Sequence, residues 1–142
     1  MRHVGFTGTR EGMTQKQKEM LHAELLRPTF ADAFFHHGDC IGADAEAHDI
    51  AERLELRINI HPSDRIAGRA LKKPNKGGNL WPPKPPLERN AIIVAAADVL
   101  IACPKQMQEV LRSGTWATVR YARKKGIEVT IIYPDGSCSM ES

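Results

Sequence analysis

Ala33-Phe34-Phe35-His36-His37-Gly38-Asp39-Cys40-Ile41-Gly42-Ala43-Asp44-Ala45-Glu46-Ala47-His48 is the stretch that decides the fold. Its first residues, Ala33 to His36, read as a strand, and Ala47, Ile50, Ala51 and Leu54 follow at the three- and four-residue spacing of a helix stripe. Gly38 and Gly42 stand between them, at the positive end of that helix, where backbone amides converge on an anion. The same strand-to-helix design recurs twice, in Gly5-Phe6-Thr7-Gly8-Thr9-Arg10 and in Arg112-Ser113-Gly114-Thr115-Trp116. Three such junctions in one chain predict one shared anionic ligand.

Working outward, His3 to Phe6 reads as a buried strand. Thr14 to Leu26 follows as a helix capped by Thr14, packed through Met20, Leu21 and Leu25, and ended by Pro28. Strands are expected at Phe34 to His37, at Arg57 to His61 before Pro62, at Asp98 to Ala102 before Pro104, and at Glu128 to Tyr133. Helices are expected from about Leu87 to Ala96 and along the Thr115, Thr118, Val119, Ala122 stripe, which Gly126 ends. Apolar strands alternating with helices predict one α/β domain over residues 1–142: a Rossmann-like three-layer αβα sandwich on a mainly parallel sheet of five or slightly more strands. Ligands of such sheets bind at the strands' carboxyl ends, where all three glycine junctions lie. Residues 63–86 break the pattern with glycine, lysine and proline, as a lid, a binding segment or a disordered loop does.

Composition narrows the function. Of 142 residues, 42% are apolar and 26% charged, which is ordinary globular make-up, and the formal net charge of +3 suits an anionic ligand without demanding a polynucleotide. Cys40, Cys103 and Cys138 are odd in number and scattered, so they form no disulfide framework, and a cytoplasmic location is expected. The most apolar run, Ala91 to Ala102, contains Asp98 and is too short to span a bilayer, so no membrane partner is expected.

The candidate ligand-binding residues follow from the junctions. Gly8, Thr9, Gly38, Gly42, Ala43, Ser113, Gly114 and Thr115 supply amides and hydroxyls for phosphate, while Arg10 and Arg89 supply guanidinium groups suited to bidentate contact. Asp39 and Asp44 flank the central turn; each caps the helix or accepts a sugar hydroxyl, and Asn90 reads sugar or base. His48, four residues beyond Asp44, is placed to pair with it. Glu88, Asp39 and Asp44 are the candidate acid–base groups of a hydrolase. The histidines and cysteines match no zinc spacing, so no metal and no cofactor is expected. Trp81 is read as a stiffener of the proline-rich loop and Trp116 as core. Arg120, Arg123, Lys124 and Lys125 form a basic helix end.

Taken in order, Gly5-Phe6-Thr7-Gly8-Thr9-Arg10, Gly38-Asp39-Cys40-Ile41-Gly42-Ala43-Asp44 with His48, Pro85-Pro86-Leu87-Glu88-Arg89-Asn90, and Arg112-Ser113-Gly114-Thr115 resemble the SLOG superfamily, the Rossmann-like group that includes DprA, LOG and YpsA-type proteins. The resemblance spans nearly the whole chain and is strongest to the DprA core. It implies a nucleotide or nucleotide-derived ligand across these turns and a homo-oligomer. LOG-type phosphoribohydrolases carry Pro-Gly-Gly-x-Gly-Thr-x-x-Glu, whereas this chain has Thr118 where that glutamate falls. A binding or sensing role therefore comes first. A nucleotide-processing enzyme cleaving an N-glycosidic or phosphoester bond is the alternative, and a DprA-like single-stranded DNA binder is another.

Overall fold

The computed structural model describes residues 2–142. A six-stranded sheet forms the middle layer: β1 (His3–Gly8), β2 (Phe34–His37), β3 (Arg57–Ile60), β4 (Val99–Cys103), β5 (Glu128–Ile132) and β6 (Cys138–Glu141), in the spatial order β3-β2-β1-β4-β5-β6. The first five strands are parallel, and β6 joins the edge antiparallel to β5. Four α-helices accompany them: α1 (Gln15–Leu25), α2 (Ala43–Arg53), α3 (Pro86–Ala96) and α4 (Gly114–Lys125). This is the Rossmann-like αβα arrangement expected from the alternating pattern.

β1 to β5 are largely apolar on both faces because both faces are covered. Val4, Phe6, Phe35, Ile58, Ile60 and Ile101 pack with Leu21, Ala47 and Ala51 in one core cluster, while Leu100, Ala102, Val129 and Ile131 pack with Val94, Trp116, Val119 and Ala122 in the other. Trp116 is 1% exposed, a core residue as expected from the sequence. Local signals set the helix ends: Thr14 accepts from the Gln17 N–H while the Gln17 side chain accepts from the Thr14 N–H, a reciprocal capping box, and Gly126 closes α4 in the left-handed conformation.

The segment from 62 to 85 is built onto the edge of the sheet. The Asn75 side chain accepts from the Ile58 N–H (2.9 Å) and donates to the Leu56 carbonyl (2.6 Å), while Asn59 Oδ1 accepts from the Asn79 N–H and from Trp81 Nε1. Ile60 N–H donates to the Asn79 carbonyl and Trp81 N–H to the Ile60 carbonyl, both at 2.9 Å, so the loop supplies partners to an otherwise unpaired edge. Among the described residues no helix is long and apolar enough to cross a membrane.

Candidate functional site

The strand order reverses between β1 and β4, and neighbouring crossovers leave there on opposite faces, opening a crevice at the carboxyl edge. A cavity of about 370 Å³ occupies that place. β1 delivers Gly8, Thr9 and Arg10 to it; the turn after β2 delivers Gly38, Cys40 and Asp44; α3 delivers Arg89 and Asn90; and the start of α4 delivers Ser113, Gly114 and Thr115. Four segments far apart in sequence thus meet at one rim. Asp39, Gly42, Ala43 and Glu88 are not in its wall, and Glu88 is exposed to solvent on α3. Lys105, Gln106 and Arg112 also line the cavity. Lys105 and Gln106 escaped the sequence reading, although they follow Pro104 at a strand's carboxyl end, the position where such sheets place ligand contacts.

The central turn differs from the empty phosphate cradle that its glycines suggest. Asp44 Oδ2 accepts from the Gly38 N–H (3.2 Å) and the Cys40 N–H (3.1 Å), the Ile41 N–H donates to the Gly68 carbonyl, and the Ala43 N–H donates to the Thr9 carbonyl (2.9 Å). The anion held by the Gly38 and Cys40 amides is the chain's own carboxylate. Gly42 has φ +86°, and a Cβ there would run into the Arg10 backbone, so this glycine lets two ligand-bearing turns touch. Asp39, fully buried, turns away from the cavity: its carboxylate accepts from the Leu71 and Lys72 N–H groups and from Arg69 Nε (3.3 Å), pinning the long loop.

Open amides remain at the start of α4. Ser113 caps that helix by accepting from the Trp116 N–H, and the N–H groups of Gly114 and Thr115, in its first turn, have no intrahelical acceptor. A Cβ on Gly114 would meet nothing within 4 Å, because the position faces open space. Arg10 and Arg112, both exposed, stand at the same cavity, and Lys105 pairs with Glu11 at 2.6 Å.

Arg89 is the least ordinary residue of the wall. It is 5% exposed, and its guanidinium donates to the Gly38 carbonyl (2.6 Å), the His61 carbonyl (3.3 Å) and Asn90 Oδ1 (2.7 Å), with Cys40 Sγ at 3.6 Å. Among the described residues no carboxylate oxygen lies within 4.0 Å of it. Gly38 lacks a side chain because a Cβ would occupy the guanidinium's place. A cation so buried usually has a carboxylate partner.

Beside it, Asp44 is a carboxyl whose pKa burial raises to about 6, against the opposing pull of Arg89 and of the two turn amides. Burial also raises the Cys40 thiol, helped by the Asp44 charge, which makes Cys40 a poor nucleophile. His48 is not paired with Asp44: its Nδ1 lies 2.9 Å from His37 Nε2, and the two rings meet edge to face. At the basic end of α4, Glu109 pairs with Arg120 (3.1 Å) and Arg123 (2.8 Å), and Glu141 with Arg123 (2.7 Å), so half of that cluster is neutralised within the molecule.

No protein-family model matches the chain, and no curated protein matches it in sequence. Solved structures do match. TM1055 superposes with a TM-score of 0.66 at 16% identity, over 91% of this chain and 72% of that one. DNA processing protein A (DprA) from Streptococcus pneumoniae gives 0.66 at 20% identity over 92% of this chain, which spans 50% of that protein's length. The molybdenum cofactor carrier protein from Chlamydomonas reinhardtii gives 0.61 at 17% identity, over 92% of this chain and 76% of that one. Likeness at these identities establishes fold alone: the chain shares the Rossmann-like α/β fold of these three proteins.

Proposed function

We propose that this chain binds a nucleotide or nucleotide-derived ligand in the cavity between β1 and β4. The carrying observation is Arg89, a buried guanidinium with no carboxylate oxygen within 4.0 Å, in the wall of a cavity that also holds Arg10, Arg112 and the open end of α4. A ligand anion completes that charge distribution. The ligand has a direction. Its phosphate sits on the Gly114 and Thr115 amides with Arg10 and Arg112, since the Gly38 and Cys40 amides of the central turn are already held by Asp44. At the other end Asp44 and Asn90 accept hydrogen bonds from sugar hydroxyls. Nothing in this reading requires a metal.

A thermal-shift panel of nucleoside monophosphates and their parent nucleosides tests it. At one hundred times the dissociation constant a ligand stabilises the fold by about 2.7 kcal/mol. Monophosphates should raise the Tm more than nucleosides, and Arg10→Ala should cancel the difference. Equal response to both, or none to either, overturns the reading.

A hydrolytic role is supported by one feature, the pKa of Asp44 near 6, which suits a general acid or base at the cavity wall. Glu88, outside the wall, does not share that support. Chromatography of nucleotides incubated with wild type and Asp44→Asn decides it: turnover by wild type alone supports hydrolysis, and inert wild type removes it.

A further inference from the structure

A second cavity, of about 420 Å³, lies on the far side of Arg89 from the first, with His3, His36, His61, Trp81, Ile92 and Ala96 in its wall. It exists because the face of the sheet beneath α3 and α4 is unevenly covered. The two helices lie over β2, β1, β4 and β5, and toward β3 the roof is the loop that carries Trp81. Its volume falls within the ordinary range of small-molecule sites, roughly 300–1,000 Å³.

The wall is a run of flat rings. His3 stacks on Phe34 (centroids 4.7 Å apart, planes 12° apart), His36 and His61 lie edge to edge and nearly coplanar (5.2 Å, 21°), and the planes of His61 and Trp81 are parallel (6.0 Å, 4°). The three imidazoles are joined end to end, His3 Nδ1 to His36 Nε2 and His36 Nδ1 to His61 Nε2, each at 2.9 Å. His61 is 6% exposed, yet its Nδ1 has no protein partner among the described residues and is not sealed from solvent. It is the free end of the chain. Because each link needs one proton, the three tautomers are set together, and His61 Nδ1 presents either an N–H or a lone pair according to what arrives. Burial first, then His61 and His3 for His36 and the Arg89 charge for His61, hold both rings neutral at pH 7, with pKa values of about 3 and about 4.

Flat rings select a flat occupant, a wall that is apolar apart from Lys84, Arg89 and the ring nitrogens disfavours an ion, and one ring nitrogen without a protein partner calls for one complementary polar atom. We propose that this cavity is a second binding site, for an uncharged planar nitrogen heterocycle that packs along the imidazole and indole rings and hydrogen-bonds to His61 Nδ1. The site is separate from the nucleotide reading, and its occupant needs no phosphate.

Calorimetric titration of the full chain with benzimidazole at pH 7.5 tests this, alongside saturation-transfer NMR from the Trp81 indole protons. Saturable binding with transfer from Trp81 is expected. Ala96→Leu, which fills the cavity, should abolish it, and His61→Phe, which keeps the ring and removes Nδ1, should weaken it roughly tenfold. Arg10→Ala, on the other cavity, should leave it unchanged. Absence of saturable binding in wild type up to millimolar benzimidazole overturns the proposal. So does undiminished affinity in folded Ala96→Leu and His61→Phe, or loss of binding in Arg10→Ala. If neither cavity variant folds, absence of transfer from Trp81 in wild type overturns it alone.

Discussion

Asp44 carries two consequences at the scale of a single residue. An unfolded aspartate titrates near 3.8, whereas burial raises the native carboxyl to about 6, so between those values the native state holds a proton that the unfolded state has lost. Its contribution to stability is therefore present below about pH 4 and lost as pH rises through 6, amounting to about 3 kcal/mol across the window. Denaturation of wild type and Asp44→Asn between pH 4 and 7 should show the variant gaining on wild type as pH rises; parallel curves would refute this. Gly114 and Gly42 make the complementary pair. Gly114→Ala meets only open space, so it should leave the Tm within a few degrees of wild type while weakening phosphate binding by placing a methyl in the cavity. Gly42→Ala combines a disfavoured φ with collision against Arg10, and a loss of about 2 kcal/mol or more is expected by chemical denaturation. The glycines of this second turn are visible in the sequence, but their use is not: amides spaced for an external anion look the same when an internal aspartate holds them.

Among the elements, periodicity located β1 to β5 and α1 to α4 because each has a buried stripe or an apolar run bounded by a cap, a glycine or a proline. β6 was not legible. Cys138-Ser139-Met140-Glu141 is a short edge strand with no buried residue, and only pairing with β5 defines it. The 62–85 segment also hid its order, since lysine, glycine and proline carry no period. What fixes it is a set of long-range bonds from Asp39, Asn59 and Asn75, polar residues whose partners are remote in sequence. Asn75→Ala removes one acceptor and one donor from the β3 edge, and should cost about 1–3 kcal/mol. Limited proteolysis should then cut within 63–86 sooner than in wild type; equal cleavage rates would show that the loop is held by other means.

Across the whole molecule, four buried histidines set the acid limit. His36, His37, His48 and His61 all have pKa values lowered first of all by burial, with His36 at about 3 and His61 at about 4. An unfolded histidine takes up its proton near 6.5, so from there down to about 4 the unfolded state binds more protons than the native one. Stability should fall as pH drops through that window, by about 1.4 kcal/mol per pH unit for each histidine kept neutral, and this outweighs the opposite slope from Asp44 alone. A Tm that stays level from pH 7 to 4.5 would contradict it.

At the same scale stands the convergence of four sequence-distant segments on one crevice. Amide chemical-shift mapping during titration with a nucleoside monophosphate tests it most directly. The Gly114 and Thr115 amides should move furthest, with saturation and with loss of the effect in Arg10→Ala, while the Gly38 and Cys40 amides, held by Asp44, move little. Shifts concentrated on the Gly38–Asp44 turn, or scattered away from the β1–β4 crevice, would contradict the account.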